Sequence, residues 1–343
     1  MRMRKVLLIY TGGTIGMVKD PKTGELKSFN FDYLYEHVPE LERFQLELSS
    51  VSFKNPIDSS EMTLCHWVDL VEIIEKNYVK YDGFVILHGS DTMAFTSSAL
   101  SFMLQGIRKP IILTGSQLPI GTIRTDGKEN LITAVEIAAA VDELGEPIVQ
   151  EVAVYFEYSL YRGNRCSKVS ANQFEAFQSP NHPELAVAGV NIDYAKDKLY
   201  RATKSSPSFT KKMSSSVGLL TIYPGIPITS YASLFDVRIN KALVLASFGA
   251  GNAPSHPELQ SLITNYISSG GIILNVTQCS SGTVKQGAYH TSSFFQKSGV
   301  ISGRDMTTEA ALTKLQFLVA NVKTTEEIIS LLQVNIAGEI SES

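Results

Sequence analysis

The chain has 343 residues, of which 44% are hydrophobic and 19% are charged. This length exceeds what one hydrophobic core usually serves, so we expect two α/β domains. The formal net charge is −4 and the basic residues form no long cluster, which argues against a nucleic-acid partner. No apolar run approaches the roughly 20 residues of a membrane span, and the apolar run at residues 6–10 is shorter than the ~7–15 residues of a secretory signal. We therefore expect a cytoplasmic protein with no membrane partner.

Strand-like and helix-like segments alternate over the first half of the chain. Helices are predicted over residues 64–78, 92–105 and 131–141, and the second is expected to end at Gly106. This alternation predicts a doubly wound, mainly parallel sheet with right-handed crossovers. Five short apolar runs are predicted as its buried strands: Lys5–Tyr10, Leu46–Phe53, Phe84–Leu87, Pro110–Leu113 and Val152–Phe156.

The composition changes between residues 196 and 216, which are rich in Lys and Ser and predict a linker. We therefore divide the chain into an N-terminal α/β domain at 1–195, the linker at 196–216 and a smaller α/β C-terminal domain at 217–343. Thr324–Glu327 has the pattern of a capping box and is expected to open the last helix. The other elements predicted beyond the linker are strands at 217–223, 242–247 and 271–276 and helices at 259–267 and 310–319.

Small polar residues follow each of the first four predicted strands, in the clusters Thr11–Gly16, Asp58–Glu61, His88–Thr92 and Thr114–Gln117. The carboxyl ends of parallel strands lie at one edge of the sheet, where open α/β sheets bind ligands, so we expect the four clusters to meet. Their hydroxyls, carboxylates and backbone amides suit covalent catalysis without a metal.

Two simpler interpretations compete with catalysis. The glycine-rich turn at residues 11–16 could cradle a phosphate, although it fits neither GxGxxG nor GxxxxGK[ST]. Residues 90–92 could cap the helix that follows them. Capping and catalysis are compatible, and the hydroxyl of Ser90 beside the carboxylate of Asp91 suits activation of a nucleophile such as Thr14.

The remaining chemistry-bearing residues are predicted to be structural. The cysteines at positions 65, 166 and 279 show no spacing typical of a metal site, so we expect three buried thiols. His88 precedes Gly89 at the end of a predicted strand and is expected to be a hydrogen-bonded scaffold residue.

Six motifs carry a specific resemblance: TGGTIG, DSSEM, LHGSDTMAFTSSALSFML, KPIILTGSQ, YRGNR and NVTQC occur in that order. With them the chain resembles the L-asparaginase/glutaminase family, and within it the bacterial cytoplasmic type I branch, over residues 5–336. The resemblance implies hydrolysis of the side-chain amide of L-asparagine without a metal or other cofactor. It also implies a large N-terminal and a smaller C-terminal α/β domain in a homodimer or homotetramer.

The resemblance further implies a catalytic group. The family nucleophile, which forms an acyl-enzyme, maps to Thr14. The hydroxyl–carboxylate pair of the family maps to Ser90 and Asp91, and its lysine maps to Lys168. Ser90 is expected to activate the attacking water or to relay protons to Lys168, and both roles stay open. Backbone N–H groups around Thr14 and Ser90 are expected to hold the oxyanion.

Substrate contacts are also implied by the resemblance. The α-carboxylate maps to Ser59, with Ser60 beside it, and the α-amino group maps to Asp91. Further substrate-binding positions are expected at Gly13, Gly89, Ser116 and Asn252.

The chain departs from the family pattern in three places. Ser90 replaces the usual threonine, which keeps the hydroxyl, so we expect activity to remain. Residues 17–30 lack the loop tyrosine of many members, and either Tyr33 or Tyr35 is expected to substitute unless another group supplies the hydroxyl. Ala246 stands where some type I members have an arginine of a second, regulatory asparagine site, so we expect that site to be absent or altered.

Three rival functions stay in view. One is a broader glutaminase–asparaginase, because a single methylene is worth only ~1–3 kcal/mol in a pocket. Another is the asparaginase-like subunit of an archaeal-type tRNA amidotransferase, which would act with a partner. The third is a nucleotide-binding or ligand-sensing module that binds without turnover.

Overall fold

The computed structural model describes residues 2–16, 18–19, 26–27, 34, 36–201, 206–287 and 290–342. It divides the chain into two compact units, Met1–Lys211 and Lys212–Ser343. Within the described residues, no helix is long and apolar enough to cross a lipid bilayer.

The sheet of the first unit positions the loops of interest. Among the described residues it has eight strands, which are β1 (Arg4–Gly12), β4 (Leu46–Ile57), β5 (Gly83–Leu87), β7 (Ile111–Thr114), β8 (Val152–Phe156), β9 (Ser159–Arg162), β12 (Ala186–Ala188) and β13 (Ile192–Tyr194). Their order across the sheet is β13-β12-β9-β8-β7-β5-β1-β4. The five neighbouring strands from β8 to β4 run parallel, which confirms the predicted strands and the mainly parallel sheet.

The rest of this sheet is antiparallel and was not predicted. Strands β8 and β9 form a hairpin whose turn, Glu157–Tyr158, has positive φ at both residues (42° and 69°). Such turns usually contain glycine or asparagine, so the sequence gives no hairpin signal at this point. The strands β12 and β13 are three residues each and lack a long apolar run.

Three helices connect the parallel strands: α1 (Leu64–Asn77), α2 (Met93–Met103) and α3 (Gly127–Ala139). The predicted end of the second helix, at residue 105, is wrong, because Leu104–Gln105 forms a short strand, β6, with β14 (Ser208–Phe209). Gly106 follows with a φ of 68°. The remaining two-residue strands form the pairs β2 (Val18–Lys19) with β3 (Leu26–Lys27) and β10 (Ser167–Lys168) with β11 (Phe177–Gln178).

The boundary between the units falls at residues 211–212, inside the segment predicted as a linker. On its first side, the N–H of Thr210 donates to the carbonyl of Met103. On its second side, the N–H of Ser214 donates to the carbonyl of Gln316. Residues of this segment are therefore hydrogen-bonded within each unit, and the three-part division made from the sequence stays a prediction.

The second unit contains a parallel sheet of four strands among its described residues, in chain order. Its strands are β15 (Val217–Thr221), β16 (Ala242–Ser247), β17 (Ile272–Thr277) and β18 (Ile301–Ser302). Its helices are α4 (Pro257–Ser268), α5 (His290–Ser298), α6 (Thr308–Asn321) and α7 (Thr325–Leu332). The side chain of Thr324 accepts from the N–H of Glu327, so α7 begins where the capping pattern placed it. Strand β18 and helix α5 were not predicted.

A buried ion pair secures the last residues of the second unit. The ammonium of Lys314, on α6, lies 2.6 Å from Glu339, and both side chains are fully buried. Lys314 also donates to the carbonyls of Leu332 and Val334, and Glu339 accepts from the N–H groups of Ile336 and Ala337. Burial lowers the pKa of Lys314, while the carboxylate of Glu339 opposes that shift.

We expect Glu339→Gln to destabilise the second unit by about 3 kcal/mol, because it leaves the ammonium of Lys314 buried without its counter-charge. The measurement is urea unfolding of the full-length protein. The matched control is Glu326→Gln, at an exposed position of α7, for which we expect a change within about 0.5 kcal/mol. Equal unfolding midpoints for the two variants would contradict the proposed contribution of the pair.

Candidate active site

The four polar clusters predicted to meet do lie together at the carboxyl edge of the large sheet. Strands β1 and β4 end side by side, since Gly12 pairs with Ile57 and the N–H of Gly13 donates to the carbonyl of Ile57. Strands β5 and β7 also end together, since Leu87 pairs with Thr114. The hydroxyl of Thr11 donates to the carbonyl of Leu87, which joins the two pairs of strands.

Glycines allow the turns beyond these strands to touch. A Cβ placed on Gly13, whose φ is 85°, would lie 2.5 Å from the Cα of Gly89, and a Cβ on Gly89 would lie 2.5 Å from the hydroxyl oxygen of Ser59. Real Cβ atoms essentially never make contacts this short, so a larger residue at either position would force the neighbouring groups to shift. Thr14, Ser90 and Ser59 follow or line this contact, and the structure therefore brings the three hydroxyl residues to one place.

Lys168 reaches this place from a different part of the chain. Its ammonium lies 2.6 Å from Asp91 and 2.8 Å from the hydroxyl oxygen of Ser90. The side chain of Lys168 is only 15% exposed, whereas that of Asp91 is 64% exposed. The side chain of Lys168 is therefore largely shielded from solvent, whereas the carboxylate of Asp91 remains accessible to a solute at the edge of the sheet.

Two contacts fix the backbone that carries Lys168. The YRGNR motif is tied to α2, because the hydroxyl of Ser97 donates to the carbonyl of Gly163 over 2.6 Å. Lys168 itself pairs with Phe177 between β10 and β11, and the ring of Phe177 packs on that of Phe156 with 5.0 Å between centroids. The lysine is thus placed by β8 and α2, which belong to the buried centre of the unit.

Gln117 belongs to the same group but was not assigned a role from the sequence. The hydroxyl of Ser90 donates to its side-chain oxygen over 3.2 Å, and its side-chain nitrogen donates to the carbonyl of Gln173 over 3.0 Å. The signal available was its place in the TGSQ motif, directly after β7.

Asp126 holds the loop that carries Gln117. Its buried carboxylate accepts from the N–H groups of Gln117 and Leu118, at 2.8 and 3.1 Å. Burial raises the pKa of Asp126, and these backbone hydrogen bonds oppose the shift. The loop therefore has a fixed conformation at the edge of the site.

The other serines predicted to bind substrate make different hydrogen bonds within the protein. Ser116 is buried and its hydroxyl donates to the carbonyl of Leu118. The hydroxyl and N–H of Ser60 both contact Asp58, and these hydrogen bonds lower the pKa of that carboxyl. Ser59 is 4% exposed, and its carbonyl accepts from Thr92.

Comparison with known proteins identifies the family. The family model described as Asparaginase, N-terminal, matches residues 5–200, and that of the Glutaminase/Asparaginase C-terminal domain matches residues 216–332. The chain belongs to the asparaginase family. It is 38% identical to L-asparaginase 1 of Escherichia coli K12 over 342 residues, which cover 99% of each chain.

Two further relatives show the range of this family. The crystal structure of L-asparaginase I from Vibrio cholerae has 37% identity and a TM-score of 0.89, covering 99% of this chain and all of that one. The glutamyl-tRNA(Gln) amidotransferase of Pyrococcus horikoshii contains a subunit that is 30% identical over 341 residues, which cover 98% of this chain and 76% of that one. The predicted resemblance to the asparaginase family and the two-domain α/β fold are confirmed.

Some predicted positions of this asparaginase-family chain do not belong to the group described above. Asn252 belongs to the second unit, where its backbone pairs with Phe248, and its contact with substrate stays a prediction. Ala246 is buried in β16 between Thr221 and Val276. The two tyrosines proposed to replace the loop tyrosine, at positions 33 and 35, lie outside the described residues.

The prediction of three buried thiols is wrong for two of them. Cys166 is buried, but Cys65 and Cys279 are exposed. Cys65 lies in the first turn of α1, ahead of its first buried residue, Trp67, and Cys279 lies just beyond β17. Within the described parts of the chain, no three His, Cys, Asp or Glu side chains come together as a metal site would require.

His88 is a buried residue that fixes the backbone next to Ser90. The indole N–H of Trp67 donates to the hydroxyl of Thr96, which lies 2.9 Å from Nε2 of His88. Nδ1 lies 2.7 Å from the carbonyl of Gly89, which can only accept, so Nδ1 carries the proton and Nε2 accepts from Thr96. Burial lowers the pKa of His88 to about 4, and the neutral ring thus fixes the carbonyl that precedes Ser90.

This pKa predicts a pH dependence of stability. Since the folded-state pKa of His88 is about 4 and its ordinary value is 6.5, only the unfolded chain binds the proton between these values. Stability is therefore full above pH 6.5 and falls towards pH 4, by about 1.4 kcal/mol per pH unit from this residue. His182, whose pKa is lowered to about 4 by burial and by Arg162, adds a slope of its own.

The measurement is the unfolding free energy of the wild type and His88→Gln between about pH 7 and pH 5. We expect the difference between the two proteins to shrink as the pH falls, because the variant cannot protonate at this position. His182→Gln is the comparison for a second histidine whose pKa is lowered by burial. A wild-type curve parallel to that of His88→Gln would contradict a buried neutral His88.

Proposed function

We propose that this chain hydrolyses the side-chain amide of L-asparagine to L-aspartate and ammonia through a threonine acyl-enzyme. The observation that carries the proposal is the contact of Lys168 with both Ser90 and Asp91, at the edge where the turn of Thr14 meets that of Ser90. Its membership of the asparaginase family and its full-length match to an L-asparaginase support the same substrate.

In the first half of the reaction, the hydroxyl of Thr14 attacks the amide carbon of the substrate. The C–N bond breaks, the threonine proton goes to the leaving nitrogen, and ammonia departs. Backbone N–H groups around Thr14 and Ser90 hold the oxyanion that forms on the way, and one such donor is typically worth about 10²–10³ in rate. Gly13 and Gly89 let these backbone groups approach the substrate closely.

In the second half, water attacks the ester carbon and restores the threonine hydroxyl as aspartate leaves. Ser90 activates this water or relays protons to Lys168, and Lys168 supplies positive charge beside it. Positioned groups of this kind contribute about 10²–10⁴ in rate.

Substrate recognition uses the two charged groups on the α-carbon of asparagine. The exposed carboxylate of Asp91 binds the α-ammonium, and Ser59 with Ser60 binds the α-carboxylate. Ser116 adds a further contact within the first unit. Glutamine is longer by one methylene, which is worth ~1–3 kcal/mol, so weak glutaminase activity accompanies asparagine hydrolysis.

The remaining parts of the proposal follow from the family. The enzyme works in the cytoplasm as a homodimer or homotetramer, without a metal or other cofactor, and needs no amidotransferase partner. Ala246 stands where the regulatory asparagine site has an arginine, so that second site is absent or altered. Asparagine therefore does not activate the enzyme through it.

Steady-state release of ammonia from asparagine and glutamine tests this function. We expect a hyperbolic curve that favours asparagine, and no measurable turnover for Thr14→Ala, which retains the fold. The matched control is Thr221→Ala, at an exposed position of β15, which should behave as the wild type. Ammonia release by Thr14→Ala near the wild-type rate would show that Thr14 is not the nucleophile. A sigmoidal curve would show that a regulatory site is present.

A further inference from the structure

The hydrogen bonds around Ser90 have a direction that can be read from atoms with only one possible role. The carbonyl of Gln173 can only accept, so the atom of Gln117 that lies 3.0 Å from it is the amide nitrogen. The amide oxygen of Gln117 therefore points to Ser90, at 3.2 Å. An amide oxygen also only accepts, and the single proton of the Ser90 hydroxyl must be donated to it.

The other side of Ser90 agrees with this direction. Lys168 lies 2.8 Å from the hydroxyl oxygen and, as an ammonium, only donates. Its remaining contact in the group is to the carboxylate of Asp91, at 2.6 Å. The direction of each hydrogen bond in the series is thus set: Lys168 donates to Asp91 and to Ser90, Ser90 donates to Gln117, and Gln117 donates to Gln173.

We propose that Gln117 is a positioning residue that turns the Ser90 proton away from Lys168, so that the serine oxygen offers its second lone pair to the water that attacks the acyl-enzyme. This inference rests on the proposed function and deepens it. It selects between the two roles that the resemblance leaves open for Ser90. With its proton on the Gln117 side and an ammonium on the other, the serine orients water and does not relay a proton to Lys168.

The structure also explains why Gln117 can hold this orientation. Its backbone N–H is bound by the buried carboxylate of Asp126 at 2.8 Å, and its side chain is bound at both ends. A residue fixed at three points loses little further entropy when the reaction needs it, so its acceptor is in place before the substrate arrives.

Gln117→Leu tests the proposal, because leucine has a similar size and no acceptor. We expect kcat for asparagine to fall about tenfold, the worth of one net hydrogen bond, and KM to fall with it, because kcat/KM reports only the steps up to formation of the ester. The loss should fall on hydrolysis of the ester. Ammonia, which leaves when the ester forms, should then appear in a burst, and hydroxylamine, which attacks the ester in place of water, should restore ammonia turnover.

Two further variants separate positioning from a structural effect. Gln117→Glu keeps an oxygen that accepts from Ser90 and should recover part of kcat. In a Ser90→Ala background, Gln117→Leu should have no additional effect, because the hydroxyl it orients is already gone. The matched control is Gln150→Leu, which removes an amide-to-carbonyl hydrogen bond to Pro147 just before β8, at the opposite edge of the sheet, and should leave kcat unchanged.

The proposal is overturned if Gln117→Leu keeps kcat within about twofold of the wild type. It is also overturned if the variant loses activity without an ammonia burst, or if its effect persists in full without the Ser90 hydroxyl. The wild-type protein is measured in the same assay. Failure of the wild type to release ammonia from asparagine would count against the proposed function itself, and is thereby distinguished from failure of this inference.

Discussion

The close approach of two backbone turns, at Gly13 and Gly89, is the constraint on which the site depends. A Cβ on Gly13 would lie only 2.5 Å from the Cα of Gly89, and a Cβ on Gly89 would overlap the side chain of Ser59. Because the turns touch, the residues that follow each glycine, Thr14 and Ser90, occupy the same corner of the carboxyl edge. A larger residue at either glycine would separate Thr14, the proposed nucleophile, from Ser90.

The other members of the site are brought to this corner by separate means. Lys168 depends on the contact of Ser97 with Gly163 and on the packing of Phe177 against Phe156. The carbonyl of Gly89 is held by a buried, neutral His88. These supports come from α2, β8 and β5, so the site is built on the buried centre of the unit, and its loops add only the last contacts.

The sequence predicts the parallel strands and the meeting of their polar ends, because buried strands are apolar and parallel strands share one edge. It does not predict the hairpin at Glu157–Tyr158, whose backbone conformation is normally reserved for glycine or asparagine. Nor does it predict the early end of α2, because residues 104–105 pair with β14 about a hundred residues later. Tertiary contacts decide both features.

The candidate site divides in the same way. The hydroxyl and carboxylate residues at positions 14, 90 and 91 follow from the strand ends alone. Lys168 stands in a two-residue strand without a periodic pattern, and only the family resemblance pointed to it. The part played by Gln117 depends on a backbone carbonyl 56 residues further along the chain, which no local pattern reveals.

The most direct test of the account is the chemical identity of the residue that carries the acyl group. Lys168→Met should hydrolyse the ester slowly, so acid quenching during turnover of asparagine, followed by peptide mass mapping, should find an aspartyl ester on Thr14. An ester on Ser90, or no ester while a stoichiometric burst of ammonia is observed, would contradict a threonine nucleophile placed by the contact of the two glycine turns.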